Sequence, residues 1–160
     1  MSKKIEKTVT LELYPWDELT EEVQLLINKA KEASDMAYAP YSNFMVGAAL
    51  LLDNGEILSG NNQENASYPV GICAERVVLG YSHARYPEAK PRQLAVVAKR
   101  RNELDYATVS PCGLCRQTIS EYEQRYNRQI EIYMLTPDGE VLKAGSIDEL
   151  LPFKFHDLNG

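Results

Sequence analysis

A chain of 160 residues, 44% of them hydrophobic and 25% charged, has the composition of a globular domain large enough to bury a core. Lys and Arg number 17 against 23 Asp and Glu, a formal net charge of −6, which is the wrong sign for neutralising phosphates, so nucleic acid is not expected as a partner. The longest apolar run, 45–52, falls far short of the roughly 20 residues a membrane span needs, and Met-Ser-Lys-Lys-Ile-Glu-Lys carries no apolar export signal, so neither membrane association nor secretion is expected.

Residues 1–15 begin charged and then alternate, with Val9, Leu11 and Leu13 on one face, which suggests a short strand or extended arm before Pro15. From 17 to about 37, Leu19, Val23, Leu26, Ala30 and Ala33 recur at three- and four-residue steps behind acidic residues, the pattern of an amphipathic helix that covers a sheet. Residues 45–52 read as a buried strand, turning at Asp53-Asn54-Gly55 into a second strand over 56–61. Further on come a helix from Cys73 to about Tyr86, a strand over 93–99, and a helix from Cys112 to about Tyr126. A strand over 129–135, a turn at Thr136-Pro137-Asp138-Gly139, a last short strand and a helical turn near 146–151 complete the chain. A hairpin followed by alternating helices and strands predicts an α/β fold, a three-layer α/β/α domain with a mixed sheet. No repeat, low-complexity tract or linker divides it, so residues 1–160 are read as one domain, 1–15 being an arm and 16–155 the domain proper.

All three cysteines fall in two short stretches, Cys73-Ala74-Glu75-Arg76 and Pro111-Cys112-Gly113-Leu114-Cys115. A lone C-x-x-C leaves metal binding, redox chemistry and structural packing open. With Cys73 added, three thiolates suffice to hold one zinc ion and leave its fourth tetrahedral position free, the mark of a catalytic rather than a structural centre. Both stretches look like helix starts, where unpaired N–H groups and the helix dipole favour thiolate over thiol. Glu75 is placed to move a proton at such a centre without ligating the metal. Three thiolates outweigh the charge of a dication, so Arg76 is the candidate to draw charge from the sulfurs. His83 and His156 lack a second ligand at useful spacing and are read as surface residues. The small, odd number of thiols fits a reducing compartment, and the protein is placed in the cytoplasm.

Cys-Ala-Glu-Arg followed by Ser-Pro-Cys-Gly-Leu-Cys-Arg-Gln resembles the free-nucleoside cytidine deaminase family, of the three-cysteine zinc type. Tyr38-Ala-Pro-Tyr-Ser-Asn-Phe44-Met-Val-Gly-Ala-Ala49, Asn62-Gln-Glu64-Asn-Ala-Ser-Tyr68 and Leu150-Leu-Pro-Phe-Lys-Phe155 resemble its other signatures, in the same order, from about position 20 to 155. The resemblance implies one zinc per chain on Cys73, Cys112 and Cys115, and hydrolytic deamination of cytidine and deoxycytidine to uridine and deoxyuridine. It implies that Glu75 carries a proton from the attacking water to N3 of the pyrimidine and later one to the departing amino group. It implies Asn62 and Glu64 on the ribose hydroxyls, Phe44 beside the base, and the backbone around Ala66 and Ala74 on the polar edge of the base. It also implies a homotetramer in which Phe155 closes over the base bound by a neighbouring chain. Asn61, Gln63 and Leu114 depart from the family pattern and bear on fine substrate preference. A blasticidin-S type deaminase shares Cys-Ala-Glu and Pro-Cys-x-x-Cys and is the nearest rival; a non-catalytic zinc or redox module, for which Glu75 and the Asn62-x-Glu64 pair would have no purpose, is the rival from another class.

Overall fold

The computed structural model of the protein describes residues 1–155. Its middle layer is a six-stranded sheet of β1 (Glu12–Tyr14), β2 (Phe44–Leu52), β3 (Ile57–Asn61), β4 (Pro91–Arg100), β5 (Glu131–Leu135) and β6 (Val141–Ala144), in the order β1-β6-β5-β4-β2-β3. β4 and β5 are parallel, as a crossover through a helix requires, and the other neighbouring pairs are antiparallel. The helix α1 (Glu21–Asp35) packs on one face, and α2 (Ala74–Arg85) and α3 (Gly113–Tyr126) pack on the other. The expected α/β/α layering with a mixed sheet is the one observed.

β2 shows why a central strand reads as an unbroken apolar run. Ala48, Leu50 and Leu52 join the core under α2 and α3, whereas Ala49 and Leu51 join the core under α1, so both faces of the strand are covered. Gly47 lets α1 approach closely: a Cβ there would overlap the Ala30 carbonyl oxygen and stand 2.6 Å from the Ser34 nitrogen. The β2–β3 hairpin turns at Gly55, whose φ of +86° suits a residue without a side chain.

Three expectations are adjusted. Asp17 belongs to a separate 3-10 turn, Trp16–Glu18, and α1 starts later because Thr20 caps it, its hydroxyl accepting from Val23 N at 3.3 Å. β5 begins at Glu131 rather than 129, because α3 ends on Asn127 in the left-handed conformation and the chain needs residues to turn back. In the arm only Glu12–Tyr14 forms a strand, on the sheet edge against β6, and Val9, Leu11 and Leu13 stay exposed.

Candidate metal centre and its cleft

α2 and α3 lie on the same face of the sheet, and their first residues bring the three cysteines together. Cys73 is the N-cap of α2, Cys112 is the N-cap of α3, and Cys115 lies in the first turn of α3. Neither N-cap sulfur accepts from a backbone N–H of its own helix, which leaves both available. Cys73 Sγ is 3.8 Å from Cys112 Sγ, Cys112 Sγ is 3.5 Å from Cys115 Sγ, and all three lie within 4.8 Å of one another. Sulfurs about 2.3 Å from a tetrahedral zinc stand about 3.8 Å apart, so the triad fits that ion and could hold one.

The electrostatics agree with the geometry. The Cys73 thiol is lowered to about 6, chiefly by its hydrogen bond with Cys115, with Cys112 and the Arg76 charge acting in the same sense. Cys115 is pushed up, because it is the donor in that pair and is buried. One thiolate therefore forms readily and the next meets its charge, a conflict that a dication resolves. Arg76 acts on Cys73 through its charge; among the described residues it makes no hydrogen bond to a sulfur.

Glu75, only 4% exposed, sits in the first turn of α2. Burial raises its carboxyl above the ordinary value and the Cys73 charge adds to the effect, while its own backbone N–H, Cys115 and Arg76 oppose it. A carboxyl moved toward neutrality beside a metal centre is suited to taking up and returning protons.

The centre opens into a cleft of about 340 Å³, lined by Phe44 and Val46 from β2, Val96 from β4, Asn62 and Glu64, and by Cys73, Glu75 and Cys112. Residues 62–64 all line it, and Gln63 bridges to Tyr38 and to Ile72, so joining the loop before β2 to the approach to Cys73. The Asn62 amide accepts from Val46 N at 2.8 Å and donates to Phe44 O at 2.9 Å, so much of its capacity holds β2. Glu64 accepts from Tyr41 N at 2.8 Å, from Ser42 N, and from the Ser42 hydroxyl, which with the backbone donors holds its carboxyl below the ordinary range. It remains ionised, with lone pairs to spare for hydroxyl donors.

Of the other described residues singled out from the sequence, Ala66, Ala74, His83 and Phe155 do not line the cleft. Ala74 is buried at the head of α2, and Ala66 is exposed in the loop beyond Glu64. Phe155 is 76% exposed and does not line the cleft of its own chain. His83 is half-buried rather than on the surface, 2.9 Å from the Tyr126 hydroxyl, tying α2 to α3. His156 lies outside the described residues.

Two residues at the site carry no role that the sequence alone suggests. The Ser42 hydroxyl bonds Glu64 and accepts from Phe44 N at 3.0 Å. Arg116 donates to Pro111 O at 2.7 Å, Ser110 Oγ at 2.8 Å and Leu150 O at 2.6 Å, fixing the loop that delivers Cys112. Its place directly after Cys115 is the one available signal.

Three thiols around one point, a buried carboxyl beside them and a cleft in front are the parts of a metal-dependent hydrolase on an α/β/α scaffold. The signature of the cytidine and deoxycytidylate deaminase zinc-binding region matches residues 20–128. A cytidine deaminase from Halalkalibacterium halodurans is 39% identical over 140 residues, which cover 85% of this chain and 97% of the relative. The crystal structure of cytidine deaminase from Burkholderia pseudomallei superposes with a TM-score of 0.70 at 36% identity, covering 86% of this chain and all of that one. A blasticidin-S deaminase from Bacillus cereus is 32% identical over 132 residues, covering 81% of this chain and 89% of the relative. The chain belongs to the cytidine and deoxycytidylate deaminase family.

Proposed function

We propose that this protein hydrolyses the C4 amino group of cytidine and deoxycytidine, giving uridine and deoxyuridine and releasing ammonia. The observation that carries the proposal is the convergence of Cys73, Cys112 and Cys115 beside buried Glu75, at a cleft that Asn62 and Glu64 also line. One zinc, when bound to the three cysteines, supplies water activated for attack at neutral pH. Glu75 takes a proton from the attacking water, delivers it to N3 of the base, and returns one to the leaving amino group, so that water and cytidine leave as uridine and ammonia. Its burial supports this, because a carboxyl raised toward neutrality exchanges protons in both directions.

Phe44 flanks the base, and the backbone N–H of Ala74, left unpaired at the helix start between the cleft residues Cys73 and Glu75, reads its polar edge together with the backbone at Ala66. Asn62 and Glu64 receive the ribose hydroxyls, and ionised Glu64 disfavours a 5′-phosphate nearby. Arg76 tempers the charge of the thiolates. Phe155, with no place in the cleft of its own chain, closes over the base in a neighbouring subunit of a homotetramer. Three thiols kept available for metal suit the cytoplasm.

A substrate panel tests the reading. Initial rates are measured on cytidine, deoxycytidine, cytidine 5′-monophosphate and blasticidin S. The two nucleosides should be turned over far faster than the other two. Preferred turnover of blasticidin S would move the protein to the rival deaminase, and comparable turnover of the monophosphate would remove Glu64 from the ribose.

A further inference from the structure

Residues 1–15 lie outside the matched family signature, yet they are not idle on the surface. Thr10 N donates to Glu149 Oε2 at 2.6 Å across 139 positions of sequence, and Lys7 Nζ donates to Pro152 O at 2.6 Å across 145. The same ammonium stands 5.5 Å from the centroid of the Phe153 ring, within cation–π range. Between these contacts and the body of the protein, β1 anchors the arm to β6. The apolar side chains of the arm, Val9, Leu11 and Leu13, remain exposed. What the arm does within its own chain is therefore grip the C-terminal segment by polar contacts, not fill the core.

The other side of that segment is held by α3. Arg116 donates to Leu150 O, and Gln117 Nε2 reaches Phe155 O at 3.3 Å. Residues 149–155 thus run between the arm and the helix that carries Cys112 and Cys115. Phe153 and Phe155 project from them into solvent.

We propose that residues 7–14 are a positioning arm that fixes the direction in which the C-terminal segment presents Phe155, and so set nucleoside affinity without touching the chemistry. The proposal rests on Phe155 closing a neighbouring site, as argued above. Lys7 and the backbone of Thr10 act through the segment they hold; neither touches substrate.

The test is a double-mutant cycle on the zinc-loaded, full-length enzyme, comparing the parent, a chain lacking residues 2–10, Phe155→Ala, and the two changes combined. β1 is retained in the shortened chain. Removing residues 2–10 should raise KM for cytidine about three- to tenfold and leave kcat and zinc per chain within about twofold. In the Phe155→Ala background the same truncation should add nothing. Lys7→Met, which keeps the stem and loses the ammonium, should raise KM in the same direction by less, and it carries the test if the shortened chain aggregates. An unchanged KM in the shortened chain and in Lys7→Met, with a raised KM in Phe155→Ala, would overturn the arm alone. A silent Phe155→Ala would overturn the Phe155 assignment and the arm with it. Equal KM effects of truncation in both backgrounds would show that the arm acts somewhere other than Phe155.

Discussion

Cys73 Sγ and Cys112 Sγ, 39 positions apart in sequence, lie 3.8 Å from each other at the starts of two helices. That separation matches the edge of a thiolate tetrahedron around zinc, about 3.8 Å. Cys73→Ala, Cys112→Ala and Cys115→Ala should each lose most of the zinc measured by elemental analysis, and full zinc in any of them would remove that residue from the ligand set. Cys115→Ala should also lower the melting temperature, because it empties a buried position.

Glu75→Gln separates proton transfer from metal binding. The amide fills the same buried space, so fold and zinc should persist, whereas kcat should fall by about a hundredfold or more. Turnover within a few-fold of the parent would reject Glu75 as the proton carrier.

Glu123 offers a test of stability alone. One of its carboxylate oxygens accepts from Ile130 N at 2.9 Å and from Ile147 N at 3.0 Å, joining α3 to the residue before β5 and to the 3-10 turn Ile147–Glu149. Burial raises its carboxyl above the ordinary value of 4.5, and the two backbone donors only partly oppose this. A carboxyl raised on folding stabilises the fold at pH values below its unfolded value and loses that contribution as pH rises through the folded one. Glu123→Gln keeps an acceptor and carries no charge, so it should gain on the parent in denaturant melts as pH rises from about 4 to about 7. Glu123→Ala leaves two buried N–H groups unpaired and should cost about 1–3 kcal/mol, most at low pH, where the parent's carboxyl is neutral. A pH-independent difference between the Gln variant and the parent would contradict the assigned cause.

Gly47→Ala should cost at least about 2 kcal/mol, because the added methyl overlaps the backbone of α1 and helix and strand must separate. Chemical denaturation would show it, and a variant as stable as the parent would mean that α1 packs less closely than observed.

The ligand triad and the layering are legible in the sequence because their signals are local. Cysteines at helix starts, Pro111 before one of them, and the unbroken run of β2 each speak through a few neighbouring residues. Thr20 displaces the start of α1 from Asp17 because a capping hydroxyl outweighs acidic residues that merely suit a first turn. The double use of Asn62, whose amide both accepts from and donates to β2, is hidden because side-chain bonds to a distant backbone leave no periodic trace. The same holds for Arg116 on Leu150 and for Thr10 on Glu149, where the partner is set only once the fold brings distant segments together. Ser42 gives no signal of its own beside Phe44, although its hydroxyl fixes the carboxylate of Glu64.

The most direct measurement is the loss of cytidine absorbance as uridine forms, followed on samples whose zinc content is determined in parallel. Chelator treatment and stepwise return of zinc should give activity proportional to metal, reaching its plateau at one zinc per chain. Full activity in zinc-free protein, or one zinc per chain with no turnover of cytidine or deoxycytidine, would contradict the assignment of Cys73, Cys112, Cys115 and Glu75 to a deaminase centre.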